Sequence, residues 1–442
     1  MKNFRARVGA IGVVVAAVGA VAVGTVLTPA DATSSVTTDR IAGSTRYDTA
    51  RQIGTFKTNG SSSFAFNSAS QAVLVSGDNF PDALAAAYLA GIYKSPTFLT
   101  STNALRPEAV QGLQDLGIKQ VTIVGGPLAV SPDQDDQLKS NGITATRVAG
   151  ANRDDTAAKV VEASGATPGT YRDKGITVLL AADNPGHYVD ALAAGPLAWA
   201  AHLPVLLTPT DGLAPEAKDA LTTLHVQHVV ILGGTAAVSA STEGEVTAMG
   251  ITTERLQGGT REATAVAIAN AEHDLFGFLF KHVFLAVGDN FPDALAGGPI
   301  GGLFKWPILL TATTNSLSDD TQRFLKANDG TVSAITAFGG PNAISDAVLK
   351  QATTTSTCSP PTTSGGGGLP SLPVAAPSPF RAAAASSTTS TSTTTKPTTT
   401  TSTSTTTSTI PDCGTTTTST PTSTTPSSTT TTAASGPSIP GM

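Results

Sequence analysis

Between residues 36 and 352 apolar residues fall in short unbroken runs, and each run is followed by a stretch with helical spacing. Ala72-Val73-Leu74-Val75 is one such run, and a run without polar alternation fits a strand covered on both faces. It ends at Ser76-Gly77-Asp78. Pro81 then opens a predicted helix over Asp82–Tyr93, since proline suits the first helical position. Before this pair the pattern predicts a strand at Val36–Ala42 and a helix over Thr45–Phe56, with Ser44 as N-cap and Ala50, Ile53 and Phe56 as its apolar stripe. After it come a strand at Pro96–Thr100, a helix over Arg106–Leu116 stopped by Gly117, a strand at Val121–Val124 closed by Gly125-Gly126, and a helix over Ser131–Leu138. Alternating strands and helices predict the α/β class, a parallel sheet with helices on both faces.

The same order returns twice. The second copy reads Val178–Asp183, Asp190–Ala201, Pro204–Thr208, Pro215–Leu224 and Val229–Gly234. The third reads Val283–Asp289, Asp293–Leu303, Pro307–Thr311, Ser318–Ala327 and Ala334–Gly340. Each copy opens on Arg-x-x-Gly-x-x-Arg-x-x-Thr-Ala: Arg40–Gly43–Arg46–Thr49–Ala50, Arg147–Gly150–Arg153–Thr156–Ala157 and Arg255–Gly258–Arg261–Thr264–Ala265. Successive first arginines lie 107 and 108 positions apart, a period that suits a small domain rather than a short solenoid repeat. The expected organisation is three repeats over 33–146, 147–254 and 255–352. The second helix of each copy is rich in small residues, as in Ala83-Leu84-Ala85-Ala86-Ala87 and Ala294-Leu295-Ala296-Gly297-Gly298, and reads as a close-packing surface.

The flanks differ in character. Lys2, Arg5 and Arg7 precede an uncharged Val8–Leu27 run and an Ala30-Asp31-Ala32 site, the pattern of an export signal over 1–32 cleaved after Ala32. From 353 to 442 the chain is almost wholly Thr, Ser, Pro, Gly and Ala, a composition expected to stay disordered and to serve as a stalk. Cys358 and Cys413, the two cysteines, both lie in this tail, so the repeats need neither disulfide nor thiolate-bound metal. A net charge of −6 with only 13% charged residues argues against nucleic acid as a partner. After signal cleavage no membrane partner is expected.

The strands end in acids, Asp78, Asp183 and Asp289, and a second acid follows at Asp82, Asp190 and Asp293, with an insertion around His187 in the second copy. In a parallel sheet the carboxyl ends of the strands form the usual ligand crevice. The Gly-Gly pairs belong to the same edge, where glycine permits tight turns. These acids and the arginines Arg40, Arg46, Arg147, Arg153, Arg255 and Arg261 are the polymer-binding candidates, because the guanidinium fork matches carboxylate or phosphate and Asp matches sugar hydroxyls. The competing reading is structural: arginines pairing with strand-end acids, and helix-start acids favouring the N-terminal dipole. Motifs of nucleophilic, nucleotide-binding or metal-dependent catalysis are missing, and the six histidines do not recur between copies. No catalytic residue, metal or cofactor is expected; His225 and His228 read as a turn.

Arg40-Ile-Ala-Gly-Ser-Thr-Arg-Tyr-Asp-Thr-Ala50, Val75-Ser-Gly-Asp-Asn-Phe-Pro-Asp-Ala-Leu84, Pro307-Ile-Leu-Leu-Thr311 and Val121-Thr-Ile-Val-Gly-Gly126 together resemble the cell wall-binding repeat 2 family of exported bacterial proteins. The resemblance covers about residues 39 to 351. It implies three Toprim-like α/β units in a pseudo-threefold arrangement and non-catalytic, non-covalent attachment to an anionic wall glycopolymer, hence a secreted, wall-associated protein. Tyr47-Asp48 becomes Asp154-Asp155 and then Glu262-Ala263, and Gln257 replaces an alanine, so copies two and three depart from the first. Two rivals stand beside this reading: a wall hydrolase, amidase or glycosidase, using the strand-end acids, and a surface-coat protein that self-assembles.

Overall fold

The computed structural model describes residues 36–58, 61–79, 81–184 and 186–356. The predicted signal, the predicted tail beyond 356, and the two cysteines lie outside the described residues. The described chain builds three four-stranded, fully parallel sheets.

The first sheet takes β2 (Gln71–Ser76), β3 (Thr97–Thr100), β4 (Gln120–Val124) and β5 (Thr144–Val148) in the order β3-β2-β4-β5. The second repeats this with β6 (Thr177–Ala182), β7 (Val205–Thr208), β8 (His228–Leu232) and β9 (Thr252–Leu256), ordered β7-β6-β8-β9. The third uses β10 (His282–Val287), β11 (Ile308–Thr311) and β12 (Ala334–Phe338), and its fourth strand is β1 (Thr37–Ile41), from the other end of the chain. Ile41 pairs with Phe338 just as Val148 pairs with Val124 and Leu256 with Leu232.

The sequence repeat is therefore offset from the structural unit. The strand carrying each motif's first arginine completes the preceding sheet. The helix carrying the second arginine, α1 (Arg46–Gly54), α5 (Arg153–Ser164) or α9 (Arg261–Phe276), packs on the next. The expected boundaries at 146/147 and 254/255 fall inside β5 and β9.

Most predicted elements form within a residue or two. The first helix is capped by Thr45, whose hydroxyl accepts from the Asp48 N–H, rather than by Ser44. In the second copy the predicted helix over Asp190–Ala201 becomes a 3₁₀ stretch, Tyr188–Ala194, leading into α6 (Gly195–Ala201), because the residues inserted around His187 rewind the entry. The last helix, α12 (Asp346–Ser356), carries helical structure past Thr353 into the start of the Thr-rich segment.

The small-residue helices α2 (Pro81–Tyr93), α6 and α10 (Pro292–Phe304) meet at the centre. Ala87, Gly195 and Gly298 occupy the same place in each, five residues after Asp82, Asp190 and Asp293, and touch one another about the pseudo-threefold axis. A Cβ on Gly298 would lie 3.1 Å from the Gly195 Cα, and one on Gly91 would lie 2.3 Å from the Trp199 carbonyl oxygen. Side-chain-free surface is thus what lets the three helices close, and the largest apolar core runs continuously through them.

Candidate functional site

Each motif is the hinge between two units. Its glycine packs onto the first turn of the following helix: a Cβ on Gly150 would come within 2.4 Å of the Thr156 nitrogen, and one on Gly258 within 2.2 Å of the Ala263 Cβ. The Gly43, Gly150 and Gly258 N–H groups donate to the buried hydroxyls of Thr49, Thr156 and Thr264 at 3.0–3.1 Å. The motif threonine, which the sequence marks by recurrence alone, thus locks the turn.

The two arginines have separate fates. The first braces the sheet it ends. Arg147 donates through Nη1 to the Gly125 and Val130 carbonyls at 2.9 and 2.8 Å and through Nη2 to Asp135 at 2.7 Å. Arg255 does the same with Gly233 and Glu243, and Arg40 with Gly339 and Asp346, 306 residues away in sequence. For Arg40, Arg147 and Arg255 the structural reading is the one the geometry supports.

Among the described residues the second arginine is hydrogen-bonded through one nitrogen only. Nη1 of Arg46, Arg153 and Arg261 donates to the strand-end carbonyl of Gly77, Asp183 and Gly288 at 2.7, 2.6 and 2.8 Å. These guanidinium groups are half-buried, and none of them forms an ion pair within 4.0 Å among the described residues. Each faces the second acid of the neighbouring unit: Arg153 faces Asp82, Arg261 faces Asp190, and Arg46 faces Asp293. The set closes around the axis.

Those acids are the most desolvated of the candidates. Burial pushes the carboxyls of Asp82 and Asp190 upward, and the motif hydroxyls of Thr156 and Thr264 with the facing arginines pull them part of the way back. Asp293 is more deeply buried, has Arg46 alone against that desolvation, and is pushed up to about 6. All three reach the first glycine of a Gly-Gly pair, Gly125, Gly233 or Gly339, held at φ of +126, +95 and +94°. Those glycines serve twice, as left-handed turns and as open space beside the acid.

The outer acids are disposed differently. Asp78 is exposed; it accepts from the Tyr47 hydroxyl and from the Thr102 N–H at 2.9 Å. Asp289 is also exposed. Asp183 does not occupy the corresponding place. Its N–H bonds the Thr208 carbonyl as Gly77 bonds Thr100 and Gly288 bonds Thr311, so Asp183 matches the glycines and Asn184 stands where Asp78 stands. The insertion at His187 hid this shift, because counting back from Asp190 gives no register. Sequence reasoning also passed over the aromatics beside the arginines: Arg46 lies 5.9 Å from the Phe291 ring centroid, and Tyr188, at the same place in the second unit, meets Phe291 edge-on at 6.3 Å. Their signal was an aromatic two residues before each second acid. His228, considered with His225, lies against Thr252 at 2.8 Å and stacks on Tyr171.

The description of the family that matches is cell wall binding domain 2 (CWB2), over residues 40–134, 147–243 and 255–349. The chain belongs to the CWB2 family. Association with the cell wall is the coarse function that membership carries. Among curated relatives the chain is 30% identical over 312 residues to the N-acetylmuramoyl-L-alanine amidase LytC of Bacillus subtilis (strain 168), covering 71% of this chain and 57% of that protein. It is 27% identical over 307 residues to the amidase enhancer of the same organism, covering 68% and 39%. Among solved structures, Cwp6 from Clostridium difficile superposes with a TM-score of 0.62 at 21% identity, over 73% of this CWB2 chain and 48% of that one. Cwp8 from the same organism gives 0.58 at 22%, over 72% and 51%. The chain thus spans between about two fifths and three fifths of each of these proteins. The two solved structures share the triplicated parallel-sheet fold.

Proposed function

We propose that this CWB2 chain is a non-catalytic wall anchor that holds an anionic wall glycopolymer, non-covalently, at the three inter-unit junctions. The observation that carries the reading is the state of Arg46, Arg153 and Arg261. Among the described residues each is oriented by a single hydrogen bond, to a strand-end carbonyl, which leaves the rest of its fork for an incoming carboxylate or phosphate. Asp82, Asp190 and Asp293, next to them, suit sugar hydroxyls, and Phe291 and Tyr188 offer apolar ring surface beside the charge. Exported placement at the wall follows from the same reading together with the export-signal pattern.

The test is sedimentation of the intact chain with purified walls, before and after the secondary polymers are stripped. Binding that disappears on stripping, and weakens in Arg46→Gln, Arg153→Gln and Arg261→Gln, is expected; a chain left in the supernatant with intact walls refutes the proposal.

A second reading, a wall hydrolase, draws on the similarity to an amidase and on the strand-end acids. Burial raises the carboxyls of the inner acids, as a general acid needs, but each copy brings a single such acid against the arginine of the neighbouring unit rather than a pair of acids across a substrate. Loss of turbidity from a wall suspension, abolished by Asp82→Asn, is the outcome that reading requires.

A further inference from the structure

Three copies of one junction allow the same positions to be compared inside a single molecule. In the first unit Gly77 lies against Tyr47, Arg106 covers that ring at 4.7 Å, and Arg106 also donates to Glu108 at 3.1 Å. Acids and arginines balance there. In the third unit Gly288 lies against Glu262. Relative to the first unit, the second differs at three of these four places; the third, with Glu262 for Tyr47 and Ser318 for Arg106, keeps only the glycine and the acid of the helix start. In the second unit the changes are these. Asp183 replaces the glycine, Asp154 replaces Tyr47, and the position before the helix proline, Arg106 in the first unit, is Ala214. The acid matching Glu108 remains as Glu216, which accepts from the Asn152 amide at 2.9 Å. Two carboxylates have entered and a cation has left.

Asp154 is 8% exposed, and its Oδ1 has no hydrogen-bond partner among the described residues. Asp183 and Glu216 both repel it; Arg153, the cation attracting it, is already bonded to the Asp183 carbonyl. A buried carboxylate in such company is costly unless a cation arrives. Glu216 also lines a cleft of about 450 Å³ between α5 and α7 (Pro215–Thr223), whose apolar lining is Ala158, Val161, Ala220 and Leu224 and whose charged lining adds Asp155, Glu162, Asp219 and Lys159, the lysine paired with Asp155.

We propose that this mouth of the second unit binds an aliphatic primary ammonium, with the nitrogen among Asp154, Asp183 and Glu216 and the carbon stem along the cleft. The ammonium takes the place that Arg106 fills in the first unit. A metal ion suits the site less. It needs oxygens converging to about 2.0–2.6 Å, whereas charge-assisted N–H···O bonds act at about 2.7–2.9 Å. No three acid, histidine or cysteine side chains among the described residues are arranged to hold a metal.

The test uses the intact chain and dansylcadaverine, a fluorescent primary amine on a five-carbon stem, followed by anisotropy against its N-acetylated form. The free amine is expected to bind saturably and at least fivefold more tightly than the acetylated probe. That preference should vanish in Ala214→Arg and in Asp183→Gly, the second of which restores the residue of the sister units and so keeps the fold. Equal binding of the two probes, or a preference untouched by Asp183→Gly, overturns the proposal. So does displacement of the probe by micromolar calcium, which would make the mouth a metal site. The amine site adjoins the Arg153 junction but is read separately from wall binding: a chain that does not sediment with walls yet keeps its amine preference sinks the anchor reading alone.

Discussion

At the level of single residues, two arginines six positions apart have opposite consequences. Arg147 satisfies two backbone carbonyls and an acid of its own unit, so Arg147→Ala leaves those acceptors without a partner. The expected loss is about 2–4 kcal/mol in urea denaturation, with wall binding per folded molecule unchanged. Arg153 holds one carbonyl, and Arg153→Gln should cost about 1 kcal/mol while reducing wall binding. Equal stability losses, or wall binding lost equally in both, would contradict the division of roles. Asp154 gives a second prediction. Its carboxyl is pushed from 3.8 up to about 6, by burial first and then by Asp183 and Glu216, against Arg153. A raised acid binds its proton more tightly when folded, so it penalises the folded state progressively as pH rises from about 4 and fully above about 6. Asp154→Asn removes the penalty: the variant should match the parent near pH 4 and exceed it at pH 7 by up to about 2 kcal/mol, discounted for water reaching a partly buried group. Comparing the two proteins at each pH cancels the opposite trend of the buried His228 and the half-buried His202 and His282, whose desolvation pushes them downward. A gap that does not widen with pH would mean Asp154 is neutral at both ends.

At the level of elements, the decisive feature is β1. It reads as a short strand before the motif glycine, but nothing local told which sheet it would join. A parallel partner is fixed by long-range topology, and here β12 lies almost 300 positions away. The other elements were legible because their information is local: unbroken apolar runs for buried strands, Pro81 and Pro215 at helix starts, Gly117 after a helix end. Asp82, Asp190 and Asp293 were legible as site candidates for the same reason, since each sits at a fixed offset on a predicted helix. Asp183 was misplaced, because an insertion erases offset as a guide, and only the backbone bond to Thr208 recovers the register. Closure of the third sheet by β1 makes that unit depend on the start of the chain. Ile41 is buried at the β1–β12 interface, so Ile41→Asp places a charge in the sheet and should cost about 3 kcal/mol or more. Hydrogen exchange is expected to show β12 and β10 deprotected while β2 and β4 stay protected. Uniform deprotection of all three sheets would instead mean that the units open as one.

On the scale of the molecule, the contact of Ala87, Gly195 and Gly298 sets the spacing of the three junctions, because the helices that meet there also carry Asp82 and Asp293, and the 3₁₀ stretch leading into α6 carries Asp190. Rigid spacing matters for a repeating polymer. Once one junction is engaged, the next binds at an effective concentration set by geometry rather than by the bulk. Linked sites of this kind gain about 10²–10⁴ in avidity, so removing one should weaken wall binding by far more than a third. Each of Arg46→Gln, Arg153→Gln and Arg261→Gln is therefore expected to lower the association constant for walls by about tenfold or more, and any pair of them to lower it again. Gly298→Val, which disturbs the spacing and leaves every junction residue in place, should weaken binding as strongly as a single arginine change, beyond what its about 1–3 kcal/mol of overpacking explains. Binding isotherms on one wall preparation separate the alternatives. A loss of one third per arginine would show three unlinked sites, whereas a large loss from one variant and none from the others would show that a single junction binds and the other two only complete the assembly.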